Sequence, residues 1–190
     1  GYGSYQLAAK GEHNAFIVKL DRNLDLIWSK TFSCSGTLHD LRITEFSGSD
    51  ILLGGAFSET LSTEAGIFSS VAEKDLFVAR MNHSSGLISW MKRFGGAGDD
   101  SISALKSQGG LIYLAGGVKK TETKAYSFLF ELDHNGIALK SSSFKGPNEN
   151  QIVDLDVGGG RIYLLGSFDT SIELAGKTLN SSGSSAFVLC

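Results

Sequence analysis

The sequence contains little proline and little cysteine. It has one proline, and its two cysteines, Cys34 and Cys190, lie far apart and form no Cys-x-x-Cys pair. This spacing excludes the usual zinc and thiol–disulfide redox frameworks. Two isolated thiols are the simpler interpretation, and a disulfide between the two cysteines stays an open alternative.

The sequence also lacks an excess of positive charge and long apolar runs. Its net charge is −3, which gives no electrostatic basis for binding nucleic acid, because phosphates are neutralised by a basic surface. A membrane-spanning helix needs roughly 20 apolar residues, whereas apolar runs such as "GGLIYLAGG" (109–117) are short and bounded by glycine. We therefore expect neither nucleic-acid binding nor membrane insertion.

Glycine is abundant instead. The chain has 24 glycines, and together with serine, threonine, asparagine and aspartate they separate short apolar runs, several of which alternate with polar residues. This pattern is typical of many short strands joined by tight turns. The sequence therefore predicts an all-β fold.

Three segments of the chain follow one template. They span residues 15–57, 76–118 and 127–168, and residues 186–190 begin a fourth copy. Each copy is predicted to form four strands, and stacking such units buries their faces. Aromatic residues recur at equivalent positions and are predicted to pack between the units rather than to stack on sugars: Phe16, Phe77, Phe128 and Phe187; Phe32, Phe94 and Phe144; and Trp28 and Trp90.

Two stretches, "WMKRFGGAGDDSISALKSQGGLIYLAGG" (90–117) and "GSFDTSIELAGKTLNSSGSSAFV" (166–188), resemble the bacterial β-propeller repeat called SBBP. The resemblance implies a β-propeller built of four-stranded antiparallel blades, with about three and a half blades in this chain. Residues 1–190 would form a single, incomplete propeller domain, with repeats at about 1–32 (partial), 43–94, 102–144 and 152–190 (partial). The remainder of a longer propeller chain, or other copies, would close the ring.

The stretch "RFGGAGDD" (93–100) is the first candidate site. No helix pattern and no Lys-Ser/Thr pair follow its glycines, which excludes a phosphate loop, and Asp99 and Asp100 lack the distal ligands of a calcium loop. A turn between two blades is predicted, with no metal and no cofactor. The long connections 58–75 and 169–186 would leave the same face, which makes Asp99, Asp100, Glu64 and Lys177 the candidate binding residues, and "SIELAGKTL" (171–179) is expected to form a small hairpin.

The second candidate site is the propeller channel. Asp154 and Asp156 lie on a predicted inner strand, and Glu45 is aligned with Asp154 in the first copy, where the second copy has Ala104. These three carboxylates are the candidates for an ion, a polar ligand or acid–base chemistry. No serine, histidine or cysteine constellation typical of a hydrolase occurs in the sequence.

The favoured function is a non-enzymatic binding or scaffolding module. The SBBP resemblance implies a bacterial extracellular or cell-surface location, with the periplasm as the alternative, and a protein or glycan partner. Two other functions stay open: a carbohydrate-active hydrolase or lyase that uses the channel carboxylates, and a structural spacer within a large adhesin.

Overall fold

A computed structural model describes residues 7, 10–121, 124–174 and 176–189. The predicted strand end at residues 1–5 and the state of Cys190 lie outside these residues. The described chain is all-β. Its strands are β1 (His13–Leu20), β2 (Leu26–Cys34), β3 (Leu38–Phe46), β4 (Asp50–Phe57), β5 (Thr60–Thr63), β6 (Gly66–Ser69), β7 (Asp75–Asn82), β8 (Ile88–Phe94), β9 (Asp99–Gln108), β10 (Leu111–Thr121), β11 (Lys124–Leu132), β12 (Ala138–Phe144), β13 (Asn150–Gly158), β14 (Arg161–Phe168), β15 (Ser171–Leu174), β16 (Lys177–Asn180) and β17 (Ser185–Leu189).

The strands form four antiparallel sheets and one separate hairpin. The first sheet has the order β1-β2-β5-β6, the second β3-β4-β7-β8, the third β9-β10-β11-β12 and the fourth β13-β14-β17, and β15 pairs with β16. The chain passes from the last strand of the second sheet, β8, to the first strand of the third, β9, and likewise from β12 to β13. The first strands of successive sheets pack beside one another, β3 against β9 and β9 against β13.

Apolar side chains between the sheets form three cores. Phe32, Cys34, Phe57 and Phe77 fill the space between the first and second sheets. Leu52, Ile102, Leu114 and Phe128 pack between the second and third, and Ala115, Phe144, Ile152 and Phe187 between the third and fourth. The middle strands of the second and third sheets are apolar on both faces because each of these sheets is covered on both sides.

A tryptophan links each of two neighbouring sheet pairs. Trp90 on β8 lies against Gly136 in the turn between β11 and β12, and its Nε1 donates to the carbonyl of His134 at 3.1 Å. Trp28 on β2 does the same one sheet earlier, where its ring lies against Gly86 and its Nε1 donates to the carbonyl of His83 at 3.0 Å. The two tryptophans therefore hold the hairpin turn of the following sheet.

Both long connections form hairpins. The hairpin expected at residues 171–179 is confirmed, with Ile172 opposite Leu179. Residues 60–69, which lie within the connection 58–75 and were not expected to form strands, form a second hairpin with Leu61 opposite Phe68. The hairpins follow β4 and β14, the second strands of the second and fourth sheets. Each hairpin reaches back towards the preceding sheet: β5 pairs with β2, and Glu173 bridges to Lys145, directly after β12.

Candidate functional site

The stretch "RFGGAGDD" is a turn between two strands, as predicted. β8 ends at Phe94 and β9 begins at Asp99, so a strand and not a helix follows the glycines. Gly95 and Gly98 have φ angles of +139° and +156°, which favour glycine because other residues rarely adopt them. This turn carries the chain from β8, at one edge of the second sheet, to β9, at one edge of the third.

Asp75 is a buried residue whose carboxylate lies against this turn, beside Gly95. It begins β7, its exposed fraction is 0%, and its Oδ2 accepts hydrogen bonds from Arg93 and from the backbone nitrogen of Val71 at 2.9 Å. Its other carboxylate oxygen, Oδ1, is buried without a hydrogen-bond partner among the described residues. The sequence analysis missed Asp75 and Arg93, although an aspartate at the head of the apolar run "LFVA" is itself a signal that a buried charge needs a partner.

Asp100 lies next to Asp75. Its exposed fraction is 3%, and both Asp75 Oδ1 and Asp100 Oδ2 line the small space beside Gly95. Burial raises the pKa of Asp100 to about 6; the hydrogen bond from the Gly96 nitrogen opposes this shift, and the nearby charges of Asp75 and Asp99 add to it. Asp100 is therefore a buried residue and not an exposed one on the candidate binding surface.

Asp99 completes the group. Its Oδ1 lies 3.0 Å from Lys74 Nζ, and Lys74 pairs with Asp99 through a parallel backbone bridge. We call Lys74, Asp75, Arg93, Asp99 and Asp100 the junction cluster. Through it, the segment returning from the hairpin β5–β6 is joined to the turn between the second and third sheets. The cluster acts as an internal linkage, because most of its charged groups are engaged with one another.

The structure separates the other two candidate binding residues from Asp99 and Asp100. Glu64, in the turn of the hairpin β5–β6, lies 2.6 Å from Lys30 Nζ and accepts a hydrogen bond from the Ile88 nitrogen at 3.0 Å. Partial burial opposes its charge, but these hydrogen bonds outweigh burial and lower its pKa. Lys177 is exposed on β16, and none of the contacts found for the described residues joins it to the junction cluster.

The three channel candidates are exposed and lie on two different sheets. Asp154 and Asp156 are on β13, and Glu45 is on β3, with β9 packed between those strands. The alignment of Glu45 with Asp154 and Ala104 is wrong. Gly54, Ala115 and Leu165 occupy one register position, and their partners are Arg42, Ala104 and Asp154. Arg42 therefore stands where Glu45 was expected, and its Nε donates to the carbonyl of Ser103 at 2.8 Å.

The next junction, between the third and fourth sheets, uses a neutral residue where the junction cluster has Asp100. Asn150 pairs with Phe168 just as Asp100 pairs with Val118. Asn150 is 4% exposed, and its Oδ1 accepts from the nitrogen and the hydroxyl of Ser127 at 3.1 and 2.9 Å. An amide therefore satisfies the same buried position without a charge.

Two structural observations and two comparisons bear on the class of protein. Within the described ranges, no group of three or more histidine, cysteine, aspartate or glutamate side chains is arranged to hold a metal ion. The same ranges contain no helix long and apolar enough to cross a membrane. No protein-family model and no curated protein matches the chain.

Proposed function

We propose that this chain is a section of a β-propeller of the SBBP type. The order of connections supports this proposal, because the last strand of one sheet leads to the first strand of the next from β8 to β9 and from β12 to β13. Adjacent packing of β3, β9 and β13 is the arrangement expected of strands around a central axis. The propeller would serve as a rigid scaffold.

We also propose that the hairpins β5–β6 and β15–β16 are the recognition elements of this scaffold, with a protein or glycan partner at a bacterial surface. The observation that carries the proposal is that the two hairpins are inserted at the same point of two sheets with the same geometry. Glu59 and Thr170, immediately before them, have φ angles of +58° and +66°. Their carbonyls accept equivalent closing hydrogen bonds, from Ser70 at 2.8 Å and Ser181 at 2.6 Å.

The outer strand of each hairpin is exposed. Ile67 on β6 is 73% exposed and Leu179 on β16 is 41% exposed, while Leu61 and Ile172 on the inner strands are fully buried and anchor the hairpins. Buried side chains thus anchor each hairpin, and exposed ones face solvent, which is the arrangement expected of a recognition loop on a rigid scaffold. The third sheet offers a natural comparison, because β10 and β11 are joined there without such a hairpin.

The test is to replace each hairpin by the short connection of the third sheet. Residues 58–74 and 169–184 would each be exchanged for "KKTETKA" (119–125), which joins the equivalent strand positions of the third sheet. The chain would then be screened on a glycan array and against a displayed peptide library. We expect the parent chain to bind a defined set of ligands and the double replacement to lose them while its circular dichroism spectrum stays β-rich.

The matched control changes the opposite end of the scaffold. The turn at residues 47–49, between β3 and β4, would be replaced by Gly-Gly, which is the turn between β9 and β10. This change should leave ligand binding unchanged. Full binding by the double hairpin replacement would remove the hairpins as recognition elements and place the binding surface elsewhere on the scaffold. Absence of any ligand for the parent chain would favour the spacer function.

A further inference from the structure

Two buried carboxylates face each other in the junction cluster. Asp75 is 0% exposed and Asp100 is 3% exposed. The position that a Cβ atom of Gly95 would occupy lies 2.5 Å from Asp100 Oδ2 and closer still to Asp75 Oδ1, so the two oxygens are less than about 5 Å apart. Asp75 Oδ1 is buried without a hydrogen-bond partner among the described residues. Two carboxylates this close in a buried site favour a state in which one of them holds a proton.

Four elements bring charged groups to Asp100. Arg93 binds the other oxygen of Asp75, and Lys74 Nζ lies 3.0 Å from Asp99 Oδ1, so both of these cations are engaged with other carboxylates. Burial, with smaller contributions from the charges of Asp75 and Asp99, therefore raises the pKa of Asp100 to about 6. The charged groups are Lys74 immediately before β7, Asp75 on β7, Arg93 on β8, Asp99 on β9 itself and Lys120 on β10, which lines the same pocket as Asp100.

The same two aspartates hold the segment that returns from the hairpin β5–β6 to β7. We call residues 70–74 the return segment. The backbone nitrogen of Val71 donates to Asp75 Oδ2 at 2.9 Å, and the backbone nitrogen of Asp100 donates to the Lys74 carbonyl at 3.1 Å. Residues 71–73 are exposed. A segment with few buried contacts opens locally at low cost, so its docking depends on these hydrogen bonds.

We propose that Asp75 and Asp100 form a pH switch that controls the docking of the return segment. A proton taken from solvent by Asp100 Oδ2 is donated in a hydrogen bond to Asp75 Oδ1, so the unpartnered oxygen gains a partner and the segment stays docked. When this proton returns to solvent, two carboxylates face each other across Gly95, and their repulsion favours opening. The switch would govern how the hairpin β5–β6 is presented to a ligand; this consequence alone rests on the proposed function.

The fourth sheet provides a matched comparison without the carboxyl pair. Ser185 occupies the position of Asp75 on the equivalent strand. The hairpin β15–β16 is closed by the hydrogen bond from the Ser181 nitrogen to the Thr170 carbonyl at 2.6 Å. A serine does not titrate in this pH range, so the docking of this hairpin should not follow the same pH dependence.

Amide hydrogen exchange followed by NMR measures the switch in the full chain without any ligand. The ratio of the observed exchange rate to the intrinsic rate at the same pH gives the opening equilibrium of each amide. We expect the opening of the Val71 and Asp100 amides to be about ten-fold larger at pH 7.5 than at pH 5, because the pKa of Asp100 falls from about 6 to its ordinary 3.8 when the segment opens. The Ser181 amide should show no such increase.

Two variants identify the titrating group. Asp100→Asn should remove the pH dependence at Val71, because the amide does not titrate and still carries a donor for Asp75. Asp156→Asn, at an exposed carboxylate, should retain it. Equal opening at pH 5 and pH 7.5 in the parent chain, or a pH dependence that survives in Asp100→Asn, would overturn the proposal.

The amides of the central strand β10 separate local opening from global unfolding. Exchange at Val71 that matches these amides at every pH would also overturn the proposal, because the carboxyl pair would then act only on the stability of the whole chain. None of these results depends on ligand binding. The pH switch and the recognition role of the hairpins can therefore fail separately.

Discussion

Trp90→Ala is expected to lower the free energy of unfolding by about 3 kcal/mol. The side chain is half-buried, its ring fills the space beside Gly136, and its Nε1 donates to the His134 carbonyl. The substitution removes a large apolar contact between the second and third sheets together with one hydrogen bond. Urea denaturation, followed by circular dichroism at about 218 nm, near the β-sheet minimum, measures the change.

Three controls separate the packing of Trp90 from its hydrogen bond. Trp90→Phe keeps a ring beside Gly136 but loses the donor, so it should cost about 1 kcal/mol. Trp28→Ala should resemble Trp90→Ala, because Trp28 makes the same contacts with Gly86 and His83 one sheet earlier. Leu139→Ala on β12, which is 53% exposed, should change stability by less than about 0.5 kcal/mol. If Trp90→Ala behaves like Leu139→Ala, the tryptophan does not link the sheets.

The class of fold and the hairpin at residues 171–179 could be predicted because local patterns determine both. Alternating apolar residues on either side of "AG" indicate two short strands and a turn. The equivalent hairpin at residues 60–69 gave a weaker signal: its inner strand, "TLST", carries one apolar residue, Leu61. That strand is stabilised by pairing with β2, where Leu61 lies opposite Cys34. A pairing partner 27 residues away leaves no local pattern in the sequence.

The position of Glu45 could not be predicted from apolar spacing alone. "ITEF" (43–46) matches "ISAL" (102–105) in spacing. The strand register, however, makes Ile43 equivalent to Leu105 and not to Ile102. The turn after β3, residues 47–49, is one residue longer than the Gly109–Gly110 turn after β9, and each strand contains a bulge that shifts the register once more. Small insertions of this kind move a side chain to another face of a strand.

The role of Asp100 was missed for a different reason. Two adjacent aspartates after glycines are typical of an exposed turn, so the sequence predicts Asp99 and Asp100 to be surface binding residues. Neighbouring residues on a strand point to opposite faces, so Asp99 faces Lys74 while Asp100 enters the interior beside Asp75. The packing of β7 against β9 brings Asp75 and Asp100 together. Because the two residues are far apart in the sequence, no local pattern predicts this contact.

Asp100→Asn is expected to stabilise the protein at pH 8 by on the order of 2–3 kcal/mol. The pKa of Asp100 is raised to about 6 from an ordinary value of 3.8, first by burial and then by Asp75 and Asp99. Above pH 6 the folded state therefore holds a buried carboxylate that the unfolded state keeps in water. The amide removes this cost, and it places a donor near the unpartnered Oδ1 of Asp75. Asn150 shows that an amide fits the equivalent position of the next sheet.

The pH dependence tests the cause of this gain. A folded pKa above the unfolded value means that the folded state binds the proton more tightly, so the destabilising effect of Asp100 is fully present above pH 6 and disappears as the pH falls towards 3.8. The difference in unfolding free energy between Asp100→Asn and the parent chain should therefore be largest at pH 7–8 and small at pH 4, as measured by urea denaturation across that range. Asp156→Asn, a change at an exposed carboxylate, should show no such trend. A gain that is equal at pH 4 and pH 8 would mean that packing, and not the buried charge, decides the stability of this junction.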